Sequence, residues 1–161
     1  STNDNVELGI VARVDFTGYN GLLLGASNYM DSDINIWDIH MDYKFQGFRA
    51  YGEYAQAHRS NNYTQSTPTA PVDAKGAFIN LGYDVLASTG FKYQLPIFFQ
   101  YESVNPQDKL SNGTEGDKTT IKTVGVNFFP HDQVVLKADY AMQKKGNTDE
   151  DIFSLALGFI F

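Results

Sequence analysis

Residues 151–161 constrain the fold more than any other stretch. Every second residue from Phe153 onward, Leu155, Leu157, Phe159 and Phe161, is large and apolar. The alternate set, Ile152, Ser154, Ala156, Gly158 and Ile160, is mostly small. Successive side chains of a β-strand point to opposite faces, so this period of two specifies a strand with one greasy face. A run of this length, about ten residues, is what a tilted strand needs to cross a bilayer. The competing expectation is an ordinary final strand buried in a soluble core. An ending on Phe161 in mid-strand favours the membrane.

The same alternation returns along the chain and predicts eight earlier strands. The first, 6–16, sets Val6, Leu8, Ile10, Ala12, Val14 and Phe16 against Glu7, Gly9, Val11, Arg13 and Asp15. The second, 22–30, has its apolar face at Leu22, Leu24 and Ala26, with Leu23 and Tyr29 blurring the pattern. In 34–45, Trp37, Ile39, Met41, Tyr43 and Phe45 oppose Asp38, His40, Asp42 and Lys44. Gln46-Gly47 then reads as a tight hairpin into 48–58, with Arg49, Tyr51 and Glu53 on the polar side. Further strands are expected at 75–86, 93–104, 119–129 and 134–143. These add Asp84, Glu102, Lys137 and Asp139 to the polar set and place Lys122 at the membrane surface. Pro96 brings no N–H to a ladder and predicts an irregularity in its strand. Residues 59–74 and 105–118 read as long polar loops.

Composition narrows the class. A chain of 161 residues suits one unit, 1–161, without a separate soluble domain. It has no cysteine, hence no disulfide framework or thiolate metal site. A formal net charge of −7 argues against nucleic acid, which needs clustered Lys and Arg. No apolar run is long enough for a membrane helix, and no basic, apolar leader opens the sequence, so a signal peptide is absent or removed. Aromatic residues make up 14% of the chain, nearly all Tyr and Phe, a bias that barrels with aromatic girdles share. Mean hydropathy is negative. That is compatible with a barrel in which half of every strand faces water.

From the third strand onward, the expected connections alternate between short and long, as in outer-membrane barrels with short periplasmic turns. A lipocalin-like soluble barrel is the rival, with its apolar face inward. Mid-strand charges beside continuous Leu, Phe and Tyr faces decide for a lipid-facing band around a wet lumen. The fold expected is therefore all-β, a transmembrane antiparallel β-barrel in the bacterial outer membrane. The terminal segment resembles the last strand of Gram-negative outer-membrane barrels. That likeness implies that Phe153, Leu155, Leu157, Phe159 and Phe161 form a signal for the barrel-assembly machinery.

Several segments resemble the phosphate-selective porin family (O and P type). They are NGLLLGAS at 20–27, INIWDIHMDYKFQGFRAYGEYAQA at 34–57, LGYDVL at 81–86, KYQLPIFFQYE at 92–102 and TVGVNFFPHDQVVLKADY at 123–140. Members of that family are longer trimeric barrels of about 16 strands. The resemblance thus implies that these nine strands are the C-terminal portion of a larger barrel. Nine antiparallel strands point the same way, because bacterial single-chain barrels have even strand numbers. It also implies porin-type ion and solute transport, a homotrimer, and contact with outer-membrane lipid and lipopolysaccharide. The arginine ladder and lysine cluster of anion-selecting members fall mostly in parts this chain does not represent, and none of those residues is carried over.

No catalytic set is expected. His40, His58 and His131 are scattered, and His40 between Asp38 and Asp42 reads as a hydrogen-bond partner in the lumen. Asp31-Ser32-Asp33 and Asp149-Glu150-Asp151 lack the ligand spacing of a calcium loop, so neither metal nor cofactor is expected. The expected function is a passive diffusion channel for small hydrophilic or ionic solutes. The alternative is a small eight-stranded structural or adhesive barrel with binding loops and a plugged lumen. The lumen charges expected are the acids Glu7, Asp15, Asp38, Asp42, Glu53, Asp84, Glu102 and Asp139, against the bases Arg13, Lys44, Arg49 and Lys137. This acidic excess predicts a weak preference for cations, since anion channels need rings of Arg or Lys.

Overall fold

Nine strands follow one another in the computed structural model, which describes residues 8–60 and 70–159. They are β1 (Ile10–Tyr19), β2 (Leu22–Met30), β3 (Ile34–Phe45), β4 (Phe48–Arg59), β5 (Pro71–Asp84), β6 (Pro96–Leu110), β7 (Thr119–His131), β8 (Val134–Lys145) and β9 (Thr148–Phe159). Each pairs antiparallel with its neighbours in sequence, in one sheet ordered β1 to β9. The chain is all-β, as its alternation requires. Among the described residues, β1 and β9 do not pair with each other, so the sheet has two free edges.

The strand positions follow the apolar period closely, whereas the connections depart from expectation. The hairpin at 46–47 is present, with φ of 47° at Gln46 and 83° at Gly47. Positive φ at both central residues gives a turn whose twist matches the flanking strands. The anticipated loop at 144–150 collapses to 146–147, because β8 and β9 pair as far as Lys145↔Thr148. The loop at 105–118 shortens too, since β6 runs on to Leu110 opposite Pro71. Conversely, the turn expected at 87–92 spans 85–95. There the Asp84 carboxylate accepts from the backbone N–H of Leu86 at 3.1 Å and of Leu95 at 2.8 Å. Pairing therefore overrides the polar composition of these loops, and the clean short-long alternation is not kept.

At Pro96 no bulge forms; the irregularity is an interruption of the ladder without a register shift. Gln94 bridges to Phe129, while the β6–β7 ladder starts only at Ile97↔Val126. A proline at the strand start gives up no ladder bond. Residues 61–69, within the long loop, lie outside the described residues, as do Glu7, Ile160 and Phe161.

The sheet is a single layer, and among the described residues it has no hydrophobic core. The buried apolar side chains are Ala50 and Ala70, and no side chain is fully buried among the described residues. Soluble domains pack at least two layers around a core. Here one face carries Phe16, Leu24, Ile39, Ile79, Phe99, Val124, Leu136 and Leu155, all exposed. The cross-strand register joins Phe16↔Leu24, Ala26↔Ile39 and Leu136↔Leu157 along it. The uncertain second strand is thereby resolved, with Leu22, Leu24 and Ala26 on the apolar side.

Candidate functional site

The opposite face collects the charged residues, and the register orders them into rows perpendicular to the strands. One row runs Asp15, Gly25, His40, Glu53, Phe78, Glu102, Ile121, Gln143, Glu150 through consecutive Cα partners. It holds four carboxylates and no Lys or Arg. The neighbouring row towards the 60–70 connection begins Arg13, Ser27, Asp38 and ends at Lys145 and Thr148. Towards the tight turns lie Asp42, Tyr51, Asn80 and Gln100, then Lys44, Arg49, Phe98, Gly125 and Asp139. Lys137 pairs with Asn127 on the same face. Apart from Glu7, every charged residue anticipated for this face is on it.

The two ends of this face differ in how their charges are held. On β1–β3 the groups form one network. Arg13 Nε donates to Asp15 Oδ2 at 2.8 Å, and His40 Nε2 lies 3.1 Å from Asp15 Oδ1 and 3.0 Å from Arg13 Nη2. His40 Nδ1 meets Asp38 Oδ1 at 2.7 Å, and the Ser27 hydroxyl donates to the other oxygen of Asp38. Asp15 reaches β3 by passing over Gly25, where a Cβ would collide with both Asp15 and His40. His40 is thus a hydrogen-bonded hub joining Asp15, Asp38 and Arg13.

One strand further, Arg49 clasps Asp42 through Nε at 3.0 Å and Nη2 at 2.9 Å, with Lys44 Nζ 3.7 Å from the same carboxylate. The Arg49 guanidinium also lies 4.5 Å over the Tyr51 ring. Glu102 accepts from Gln100 Nε2 at 2.6 Å, and Gln100 Oε1 accepts from Asn80 Nδ2 at 2.8 Å. Asp84 is on the polar face, but its contacts are to the turn backbone, so it serves local structure. Among the described residues, Lys137 and Asp139 form no ion pair.

Sequence reasoning missed Lys145 and Glu150 on this face, because the stretch 144–150 reads as a polar loop. The signal was available: Lys145 continues the alternation of Lys137, Asp139 and Gln143, and Glu150 that of Ile152 and Ser154. On the apolar side, Lys122 stands opposite Tyr101 and Met142. His58 pairs with Asp73 at 2.5 Å and Lys75 with Asp108 at 2.7 Å beside the 60–70 connection. No cluster of metal-ligating side chains is present among the described residues. Asp31 turns instead to its own backbone, accepting the N–H of Asp33 and Ile34. Of the proposed assembly signal, Phe153, Leu155, Leu157 and Phe159 share the apolar face of β9, with Leu155 73% exposed.

No family model matches the chain. It is similar to an uncharacterized protein of Aquifex aeolicus (strain VF5), 25% identical over 180 aligned residues that take in 96% of this chain. The chain spans 41% of the length of that relative.

Proposed function

We propose that this chain is part of an outer-membrane β-barrel of the phosphate-selective porin type that lets small hydrophilic or ionic solutes diffuse through its lumen. The observation that carries this reading is the single-layer sheet itself: one face apolar and uncovered, the other charged and internally paired. Exposed apolar patches beyond a few hundred Å² are rare on soluble monomers. A bilayer covers such a band, and a water-filled lumen hydrates the ion pairs opposite. The free edges of β1 and β9 would leave backbone groups unpaired in lipid at several kcal/mol each. Further strands of a larger barrel, about 16 in all, meet that demand.

Polarity of the lumen follows from the rows. Strands in such barrels tilt by roughly 35–45°, so the acidic row winds obliquely down the wall. Asp15 is offset by Arg13, but Glu53 and Glu150 have no cationic partner among the described residues. The channel therefore prefers cations weakly. Conductance of the full-length protein in a planar bilayer tests the channel, and the reversal potential across a salt gradient tests its sign. Absence of discrete conductance would favour the plugged structural barrel. A clear anion preference, or saturable block by phosphate, would reverse the assigned polarity.

A further inference from the structure

The channel reading leaves unexplained a bowl on the polar face near the tight turns. It measures about 770 Å³ and lies between Arg49 and Tyr51 on one side and Lys137 and Asp139 on the other. That volume falls within the usual range of small-molecule sites. Its floor is built of neutral hydrogen-bonding groups from three strands: Asn80 on β5, Gln100 on β6, and Thr123 and Asn127 on β7. The aromatic rings of Phe98 and Phe129 lie next to them in the lining.

The floor is ordered before any solute arrives. Glu102 can only accept, which turns the Gln100 amide so that Nε2 faces it and Oε1 faces Asn80. Asn80 is only 6% exposed, so its orientation is set by that chain. The ring of Phe98 reaches over Gly125, where a Cβ would come within 2.5 Å of its Cζ. The charges, by contrast, are mostly committed. Arg49 is held by Asp42 and stacked on Tyr51, and Asp84 serves the turn. Lys44 shares Asp42, and Lys137, without an ion pair among the described residues, stands alone across the bowl. No converging set of cations remains for a multivalent anion.

Amides and hydroxyls both donate and accept, as sugar hydroxyls do, and a flat aromatic ring suits the C–H face of a sugar ring. We propose that the bowl is a binding subsite for an uncharged polyhydroxylated solute of one or two sugar rings. This deepens the channel reading and rests on it for the route by which solute reaches the bowl.

The test uses the full-length protein in a planar bilayer, with glucose, sucrose or inorganic phosphate added to one side. Sugar should interrupt the ion current in a saturable way, and Phe98→Ala should raise the half-blocking concentration about tenfold. Thr123→Val, nearly isosteric, should raise it severalfold and keeps the test open should Phe98→Ala fail to fold. Titration calorimetry of the detergent-solubilised protein with sucrose separates the two readings. Heat that disappears in Thr123→Val, without any conductance, supports the bowl and sinks the channel. Conductance with neither sugar block nor heat sinks the bowl and leaves the channel standing. Unchanged half-blocking concentrations in the variants, or tighter block by phosphate than by sugar, would also overturn the proposal.

Discussion

The polar faces of β1–β4 and β7–β9 use the same backbone pattern for opposite purposes. On β1–β4 the middle of the polar face is dense in charges and partners for them: Arg13, Asp15, Ser27, Asp38, His40, Asp42, Lys44, Arg49 and Glu53. On β7–β9 the middle of that face is mostly small or neutral, with Thr123, Gly125, Asn127, Ala141, Ser154, Ala156 and Gly158; its charges are Lys137 and Asp139 in mid-strand and Lys145 and Glu150 towards the strand ends. Each half also contains a glycine notch. Gly25 makes room for Asp15 to reach His40, and Gly125 makes room for the ring of Phe98. The lesson is that a missing Cβ in a sheet is read by what lies above it. In one half it permits a polar lock across three strands, and in the other it seats an aromatic wall.

Gly25→Ala should break this comparison most severely. Alanine suits a strand better than glycine by roughly 0.5–1 kcal/mol, so with nothing above it the variant would gain stability. The new Cβ instead separates Asp15 from His40. Loss of the charge-assisted contact between Asp15 and His40, together with the collision of the new Cβ with both, should outweigh that gain and give a net loss of stability. Urea-unfolding midpoints measure it, and the loss should shrink in a His40→Ala background, where the lock is already gone. Equal losses in both backgrounds would show that the network contributes nothing.

Gly125→Ala should cost somewhat less, about 1 kcal/mol, because the ring of Phe98 can swing aside although Asp139 Cβ, 2.9 Å from the new atom, cannot. Salt sharpens the contrast. Raising ionic strength screens the Asp15–His40 lock but not a ring contact, so the gap between the two variants should narrow. A parallel salt dependence for both would remove the distinction between them.

The loss from Asp42→Asn should be smaller still, a few tenths to about 1 kcal/mol, since Arg49 and Lys44 are half-exposed and hydrated. Its larger consequence is electrical. Freed from their carboxylate, both cations face the bowl, and the reversal potential should shift towards anions. No shift would mean that these side chains do not face the conducting path.

The contrast between halves was partly legible in the sequence. Period-two alternation located all nine strands and put Arg13, Asp38, His40 and Lys137 on the correct face, because side-chain direction depends only on position along the strand. What stayed hidden depends on register. That Asp15, Glu53, Glu102 and Glu150 share one row is fixed by which residues pair across strands. The extensions of β6 to Leu110 and of β8 to Lys145 were masked by polar composition. Asp84 looked like a wall charge because nothing local announces that its carboxylate turns to the N–H groups of Leu86 and Leu95.

The smallest effect concerns the turns that close each half. The turn between β2 and β3 is held by a titrating group: the Tyr29 hydroxyl donates to Asp31 at 2.7 Å, and the N–H groups of Asp33 and Ile34 donate at 2.8 and 2.7 Å. These bonds, the Tyr29 hydroxyl foremost, hold the Asp31 carboxyl below its ordinary range. The turn between β8 and β9 is closed by Gly146 at φ 55°. A depressed carboxyl contributes stability that is complete above the unfolded pKa, about 3.9, and is lost as pH falls through the lower folded value. The parent should therefore lose part of its stability only below about pH 4. Asp31→Asn keeps an oxygen for the two backbone N–H groups but cannot titrate, so its unfolding midpoint should fall less steeply between neutral pH and that acid range. Gly146→Ala should lower the midpoint chiefly through backbone strain at φ 55°, its Cβ also coming within 3.3 Å of the Asp117 carboxyl group. If the Asn variant and the parent lose stability in parallel on acidification, the carboxylate is not what distinguishes the two turns.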